Sequence, residues 1–296
     1  MIFPTNITLI ADEVSQDLPV LRAFVSEFKL PGIELRSFAG RAFKDLTDAD
    51  VDEIGAAARA EGWKIFGCST PVFKCALEDP AAIAAHREIF KRSLDVARTL
   101  HCDLLRVFTF LRQPHALEPQ RLARVAEHLV GLGELARGSG VRLGLENEHS
   151  CLTGTVGEME AILALLPAEN FGAIWDPCNV LYVPEASPPV PGDITRLAPR
   201  LFHVHVKDSI RRPPSAPGAL LAVGTPLGIG EVNWRDHLRA LQRCGYRGML
   251  SLETHWRLQK IDDSLLHLPA GYSFSSGGEP ASRVCLHNLR ALVETL

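Results

Sequence analysis

Eight short apolar or β-branched runs recur along the chain, and each is followed by an amphipathic stretch rich in Ala, Leu and Arg. The runs lie at 7–13 (ITLIADE), 32–36 (GIELR), 63–69 (WKIFGCS), 104–109 (LLRVFT), 142–148 (RLGLENE), 171–176 (FGAIWD), 201–207 (LFHVHVK) and 248–254 (GMLSLET). Helical patterns fill 17–29, 48–61, 80–101, 118–138, 156–166, 193–198, 234–244 and 282–295. Thr47, with acidic residues just after it, predicts a helix start, and Gly62 and Gly140 predict helix stops. Eight strands alternating with eight helices predict an α/β fold, a (β/α)8 TIM barrel forming a single domain over residues 1–296. A doubly wound open sheet is the alternative, but it ordinarily uses fewer strands per domain. The length suits a barrel, since α/β barrels of this size form one domain where a quota of roughly 150 residues would give two.

Composition narrows the function classes. Hydrophobic residues make up 46% and charged residues 22%, enough for a large core and unlike a disordered chain. A net charge of −4 gives no electrostatic reason to expect nucleic acid or an anionic membrane as partner. No apolar run is long enough to span a bilayer. The start, MIFPTNITLIADEVSQD, has neither the basic residues nor the cleavage site of a secretory signal. Seven cysteines without a C-x-x-C pair predict reduced thiols and a cytoplasmic location.

Strand parity locates candidate chemistry, because alternate side chains face opposite sides of a strand. If the leucines and valines face the outer helices, then Glu34 and Arg36, Glu146, Asp176, His203, His205 and Lys207, and Ser251, Glu253 and His255 face the barrel axis. Barrel interiors are normally filled by Val, Ile and Leu, so buried charges there need partners. A divalent cation near the C-terminal mouth would pair with several at once. Glu146, Asp176, His205 and Glu253 supply three carboxylates and one imidazole from four successive strands. That oxygen-rich set suits Mn²⁺, Mg²⁺ or Co²⁺ better than a thiolate-selective site, with Zn²⁺ also admissible. His203 lies deeper in its strand and reads as a core histidine. Glu34 fits a structural ion pair as well as a substrate contact.

The motifs ADEVSQDL, GIELR, GLEN, WDPCN, HVHVKD, GIGEVNW and SLETHW, in this order, resemble the sugar phosphate isomerase/epimerase family of xylose-isomerase-like TIM barrels. The resemblance implies one divalent metal ion held by Glu146, Asp176, His205 and Glu253, the same set that parity selects. It implies a sugar, keto-sugar or polyol substrate, isomerised or epimerised through a metal-stabilised enediolate, with Glu146 and Glu253 as the acid/base pair. Asn179 stands where family epimerases carry a substrate-binding His, and Arg211 keeps the spacing of a substrate-binding Arg. Lys207 would protonate or orient a hydroxyl, and Glu34 completes the substrate-binding set. Leu152 stands where the epimerases have a further Glu, a departure from simple free-ketose 3-epimerases. Loss of a β-hydroxyl instead would make the enzyme a dehydratase of the inosose or dehydroshikimate type.

Other classes fit less well. An apurinic endonuclease needs further histidines where this chain has Cys68-Ser69-Thr70, Val107-Phe108-Thr109 and Asn179. Gly131–Ala136 matches G-x-G-x-x-A, but inside a helical pattern, where a dinucleotide loop does not belong. There is no G-x-S-x-G and no Walker loop. A barrel that binds a sugar without turnover is the non-enzymatic alternative. Segments 178–192, 209–231 and 256–281 are candidate lids or contacts of a homo-oligomer. Gly224, Gly228 and Gly230 offer either a phosphate site or a plain turn. Phe108 and Trp256 are candidates to wall a sugar pocket, while parity turns Trp175 outward into the core.

Overall fold

The computed structural model describes residues 6–114, 118–213, 220–259 and 275–296. Its eight parallel strands are β1 (Ile7–Leu9), β2 (Gly32–Leu35), β3 (Lys64–Ser69), β4 (Leu104–Val107), β5 (Arg142–Glu146), β6 (Phe171–Trp175), β7 (Leu201–Val206) and β8 (Leu250–Leu252). They hydrogen-bond in sequence order from β2 to β8, and β8 pairs back onto β1. A bridge between Ile10 and Glu34 links β1 to β2, so the sheet is a nearly closed barrel and not a doubly wound sheet. The helices between and after the strands are α1 (Leu18–Glu27), α2 (Asp48–Glu61), α3 (Pro80–Thr99), α4 (Pro119–Ala136), α5 (Val156–Leu163), α6 (Pro191–Leu197), α7 (Trp234–Arg243) and α8 (Gly278–Glu294).

Local chemistry sets the boundaries. Thr47 caps α2 in a reciprocal box with Asp50, and Gly62 ends it at φ 74°, a left-handed conformation that costs glycine little. The helix α4 stops at Ala136, four residues before Gly140. Most strands end short of their runs, because the polar end leaves the ladder and turns over the mouth of the barrel; β3 is the exception, keeping Ser69 and losing only Trp63. Residues Ala11–Glu13, for example, form a 3-10 turn.

Outward leucines and valines pack under the helices in one continuous core. Parity fails at Phe202. A register shift between β6 and β7 inserts it as an extra residue. Its ring lies against the guanidinium of Arg142, and a Cβ on Gly172 would come within 2.5 Å of it. It therefore does not join the outer layer that strict alternation assigns. The G-x-G-x-x-A match lies within α4. A Cβ on Gly133 would sit 2.9 Å from Phe171, so that glycine serves helix-on-sheet packing.

The long segments after β6, β7 and β8 rise from the C-terminal end of the barrel. Residues 177–182 form a 3-10 turn. Much of 209–231 is ordered: Asp208–Arg211 and Ala222–Thr225 pair as an antiparallel ribbon. Its Pro-rich tip, 214–219, and most of the third candidate lid, 260–274, lie outside the described residues. All seven cysteines are free. Among the described residues no helix is long and apolar enough to cross a membrane.

Candidate active site

A cavity of about 570 Å³ opens at the C-terminal end of the barrel. Its floor holds Glu146, Lys207 and Glu253 with Arg36 and Arg106, and its upper wall is partly apolar, with Phe108 and Val223. Glu146, Asp176, His205 and Glu253 are all buried, and one ligand atom from each lies within 4.8 Å of the others. The four residues named from parity thus meet at one point.

Backbone interlocks hold that point in place. Asn147 donates from Nδ2 to the carbonyl of Asp176 and accepts the Asp176 amide on Oδ1, both at 2.7 Å. Asn179 donates in turn to the Asn147 carbonyl at 2.8 Å. The GLEN and WDPCN motifs are therefore two halves of one clasp. Asp176 Oδ1 also caps the 3-10 turn by accepting from the amides of Cys178 and Asn179. The indole of Trp234, from the GEVNW motif, donates to the Lys207 carbonyl at 2.9 Å.

The charged groups form one network. Lys207 Nζ lies 2.6 Å from Glu253 and 2.8 Å from Asp176. Arg106 holds Glu146 at 2.9 Å, and Arg36 holds Glu253 at 2.8 Å while also pairing with Asp12 and Glu13. His205 points Nδ1 at Glu146, 2.7 Å away, and Nε2 at Glu34. Burial favours protonation of Asp176; Lys207 opposes it, Glu253 and Glu146 reinforce it, and its carboxyl is pushed up to about 6. Burial also disfavours charge on Glu253, but Lys207, His255, His205 and Arg36 together hold it well below the usual carboxylate range. For His205 desolvation favours the neutral ring, and Glu34 and Glu146 overcome it, so the imidazole titrates well above its ordinary value.

A charge count tests whether a metal fits. Among the described residues the network links six carboxylates (Asp12, Glu13, Glu34, Glu146, Asp176, Glu253) to four cationic side chains (Arg36, Arg106, Lys207, Arg257). With neutral imidazoles, the acids of this described set outnumber its cations by two charges, and Glu34 and Glu146 raise the His205 value in keeping with that excess. One divalent cation supplies the two charges, and three carboxylates with one imidazole form the donor set it prefers. The residues fit the ion.

The other candidate residues are placed as follows. Lys207 and Asn179 line the cavity. Arg211 does not; its guanidinium donates to the carbonyls of Leu181 and Val180 and braces the 3-10 turn. Glu34 lies beneath the floor, 1% exposed, bound to His203 and His205. The amides of Gly228 and Gly230 donate to Asp208, so their donors are already used within the turn. Parity applied to LLRVFT would have turned Arg106 inward, and this was the available signal for it. Alternation in RLGLENE puts Glu148 on the inward face with Glu146, and it lines the rim. Lys74 and His149 at the rim had no such signal, because loop packing brings them there.

The sequence from residue 23 to 271 matches the model of the xylose isomerase-like TIM barrels, so the chain belongs to that family. No curated protein matches it in sequence. Among solved structures, the IOLI protein with a bound zinc atom is similar at 15% identity, over 98% of each chain, with a TM-score of 0.75. A xylose isomerase domain protein from Planctomyces limnophilus is similar at 17% identity, over 99% of this chain and 97% of that one, with a TM-score of 0.72. The 3-keto-D-glucoside 4-epimerase YcjR from E. coli is similar at 14% identity over the whole of both chains, with a TM-score of 0.68. At these identities the likeness is one of fold.

Proposed function

We propose that the protein is a divalent-metal-dependent isomerase or epimerase of a sugar, keto-sugar or polyol. The observation that carries this reading is the buried convergence of Glu146, Asp176, His205 and Glu253 at the floor of the cavity. The family and the zinc-binding and epimerase neighbours support it.

When bound, a divalent cation polarises a substrate carbonyl and its neighbouring hydroxyl and acidifies the C–H between them. The chain's own residues do the rest. Glu146 on β5 and Glu253 just after β8 come from separate sectors of the ring, with β6 and β7 between them. One carboxylate removes the proton, and the other returns one to the opposite face, inverting the centre. Return to the adjacent carbon moves the carbonyl instead. Arg106 and Arg36 fix the carboxylates in position. Lys207, held between Asp176 and Glu253, orients a substrate hydroxyl. Positioned acid–base groups of this kind contribute about 10²–10⁴ in rate.

The test is solvent exchange. A panel of ketoses and cyclic polyols is incubated with the Mn²⁺-loaded protein in deuterated water and followed by NMR. At least one substrate should take up deuterium at the carbon beside the carbonyl. Glu146→Gln and Glu253→Gln should each slow uptake by about 10² or more. Uptake at the parent rate in Glu253→Gln removes that residue from the reaction.

A further inference from the structure

We infer that Glu34 is a positioning residue for His205, one that fixes the tautomer and ring angle by which Nδ1 faces Glu146, Asp176 and Glu253. This rests on the metal-site reading above and adds to it a residue that touches neither the cavity nor the ligand set's carboxylates.

Five observations converge on Glu34. Both its carboxylate oxygens lie 3.1–3.2 Å from His205 Nε2, and Oε2 lies 3.0 Å from His203 Nε2. An ionised carboxylate only accepts, so Nε2 of His205 donates to Glu34, and Nδ1, which faces Glu146 and the other ligand carboxylates, is the nitrogen that would give up its proton to a cation. The Ser69 hydroxyl donates to Oε1 and helps anchor the group. The register between β2 and β3 shifts between Ile33 and Glu34, an irregularity of the kind that re-aims a side chain. Opposite it stands Gly67, where a Cβ would press to 3.3 Å of the Glu34 side chain. At 1% exposure Glu34 has no face toward a substrate. His203, the second imidazole on the same carboxylate, steadies Glu34 and takes no place in the ligand set.

Calorimetric titration of Mn²⁺ into the parent, Glu34→Gln, Ser69→Ala and Glu146→Gln proteins tests this. A glutamine offers one acceptor oxygen where the carboxylate offers two, so it cannot hold both imidazoles as Glu34 does. Mn²⁺ affinity should fall about 10–100-fold in Glu34→Gln, the usual cost of losing such an outer partner. Ser69→Ala should weaken it by a smaller factor. Saturating Mn²⁺ should restore deuterium uptake in Glu34→Gln and fail to restore it in Glu146→Gln. A merely structural role would instead lower the metal-free melting temperature and leave the dissociation constant alone. Parent-like affinity in Glu34→Gln, with binding lost in Glu146→Gln, overturns the role of Glu34 and leaves the metal site standing. If Glu34→Gln does not fold, parent-like affinity in Ser69→Ala overturns it. No Mn²⁺ binding in the parent, or undiminished binding in Glu146→Gln, overturns the metal site and this role together.

Discussion

His203 and His205 stand two residues apart on β7, yet their environments divide the roles. His205 reaches Glu146 with one nitrogen and Glu34 with the other, whereas among the described acids His203 meets Glu34 alone. His203→Gln should therefore keep its divalent ion and His205→Gln should lose it, as read by metal content per chain in plasma mass spectrometry. The opposite pattern would mean that the ligand is the deeper histidine. Strand alternation could separate Glu146 from Leu145 because a period of two is a property of any extended backbone. It could not show that Arg211 braces a turn two loops away, since nothing in SIRR specifies where the chain beside it will lie. Nor could it show that the floor of the site is held by a clasp between Asn147 and Asn179, although both asparagines sit in motifs that sequence comparison singles out.

At the scale of one element, α5 shows how a helix start is tied to a neighbouring strand. Thr155 and Glu158 form a capping box. Arg112, from the segment after β4, grips the Glu158 carboxylate with both terminal nitrogens, at 2.8 and 2.7 Å. Burial raises the Glu158 pKa, but the Arg112 bonds and charge and the amides of Gly154 and Thr155 outweigh it and hold the carboxyl below 4.5. Glu158→Gln should cost roughly 1.5–3 kcal/mol at neutral pH, as lost hydrogen bonds to a charged group do, measured by urea unfolding. The folded value is the depressed one. The contribution is thus complete above the unfolded value near 4.5 and fades as the pH falls through the lower folded value. The gap between parent and variant should close over that acid range. A gap that is constant with pH would show that packing, not the ionised carboxylate, stabilises this corner. Of this unit, the helix was legible in the sequence, and the arginine was not. An ion pair across 46 residues depends on how two loops fold over the same mouth.

For the whole molecule, the consequence is linkage between ion and fold. A site that binds only the folded chain stabilises it by about 2.7 kcal/mol at a hundredfold excess over Kd. For a barrel of this size that corresponds to a rise of roughly 4 °C in melting temperature. Scanning calorimetry with and without Mn²⁺ should show the rise in the parent and none in Glu146→Gln. An equal shift in both would place the bound ion elsewhere. The two imidazoles paired to the Glu34 carboxylate let a polar layer of Glu34, His203 and His205 replace the usual aliphatic filling of a barrel. Gly67 leaves room for the Glu34 side chain beside it.

By itself, the sequence determined the barrel and the inward placement of Glu146, Asp176, His205 and Glu253. Both follow from local periodicities, two residues in strands and 3.6 in helices, which a chain carries wherever it goes. Helix limits near Thr47 and Gly62 were equally local, being capping chemistry. Tertiary structure alone decided which ionisable groups share one network, that Glu34 lies under the floor while Lys207 stands in the cavity, and that Asp208 takes the glycine amides of its own turn. It also decided the break in alternation at Phe202, because a bulge arises from the pairing of two strands and is not written in either one. Such contacts join residues far apart in the chain, such as His255 and Glu13, separated by 242 positions. Their distances are set by barrel closure, which no window of sequence contains.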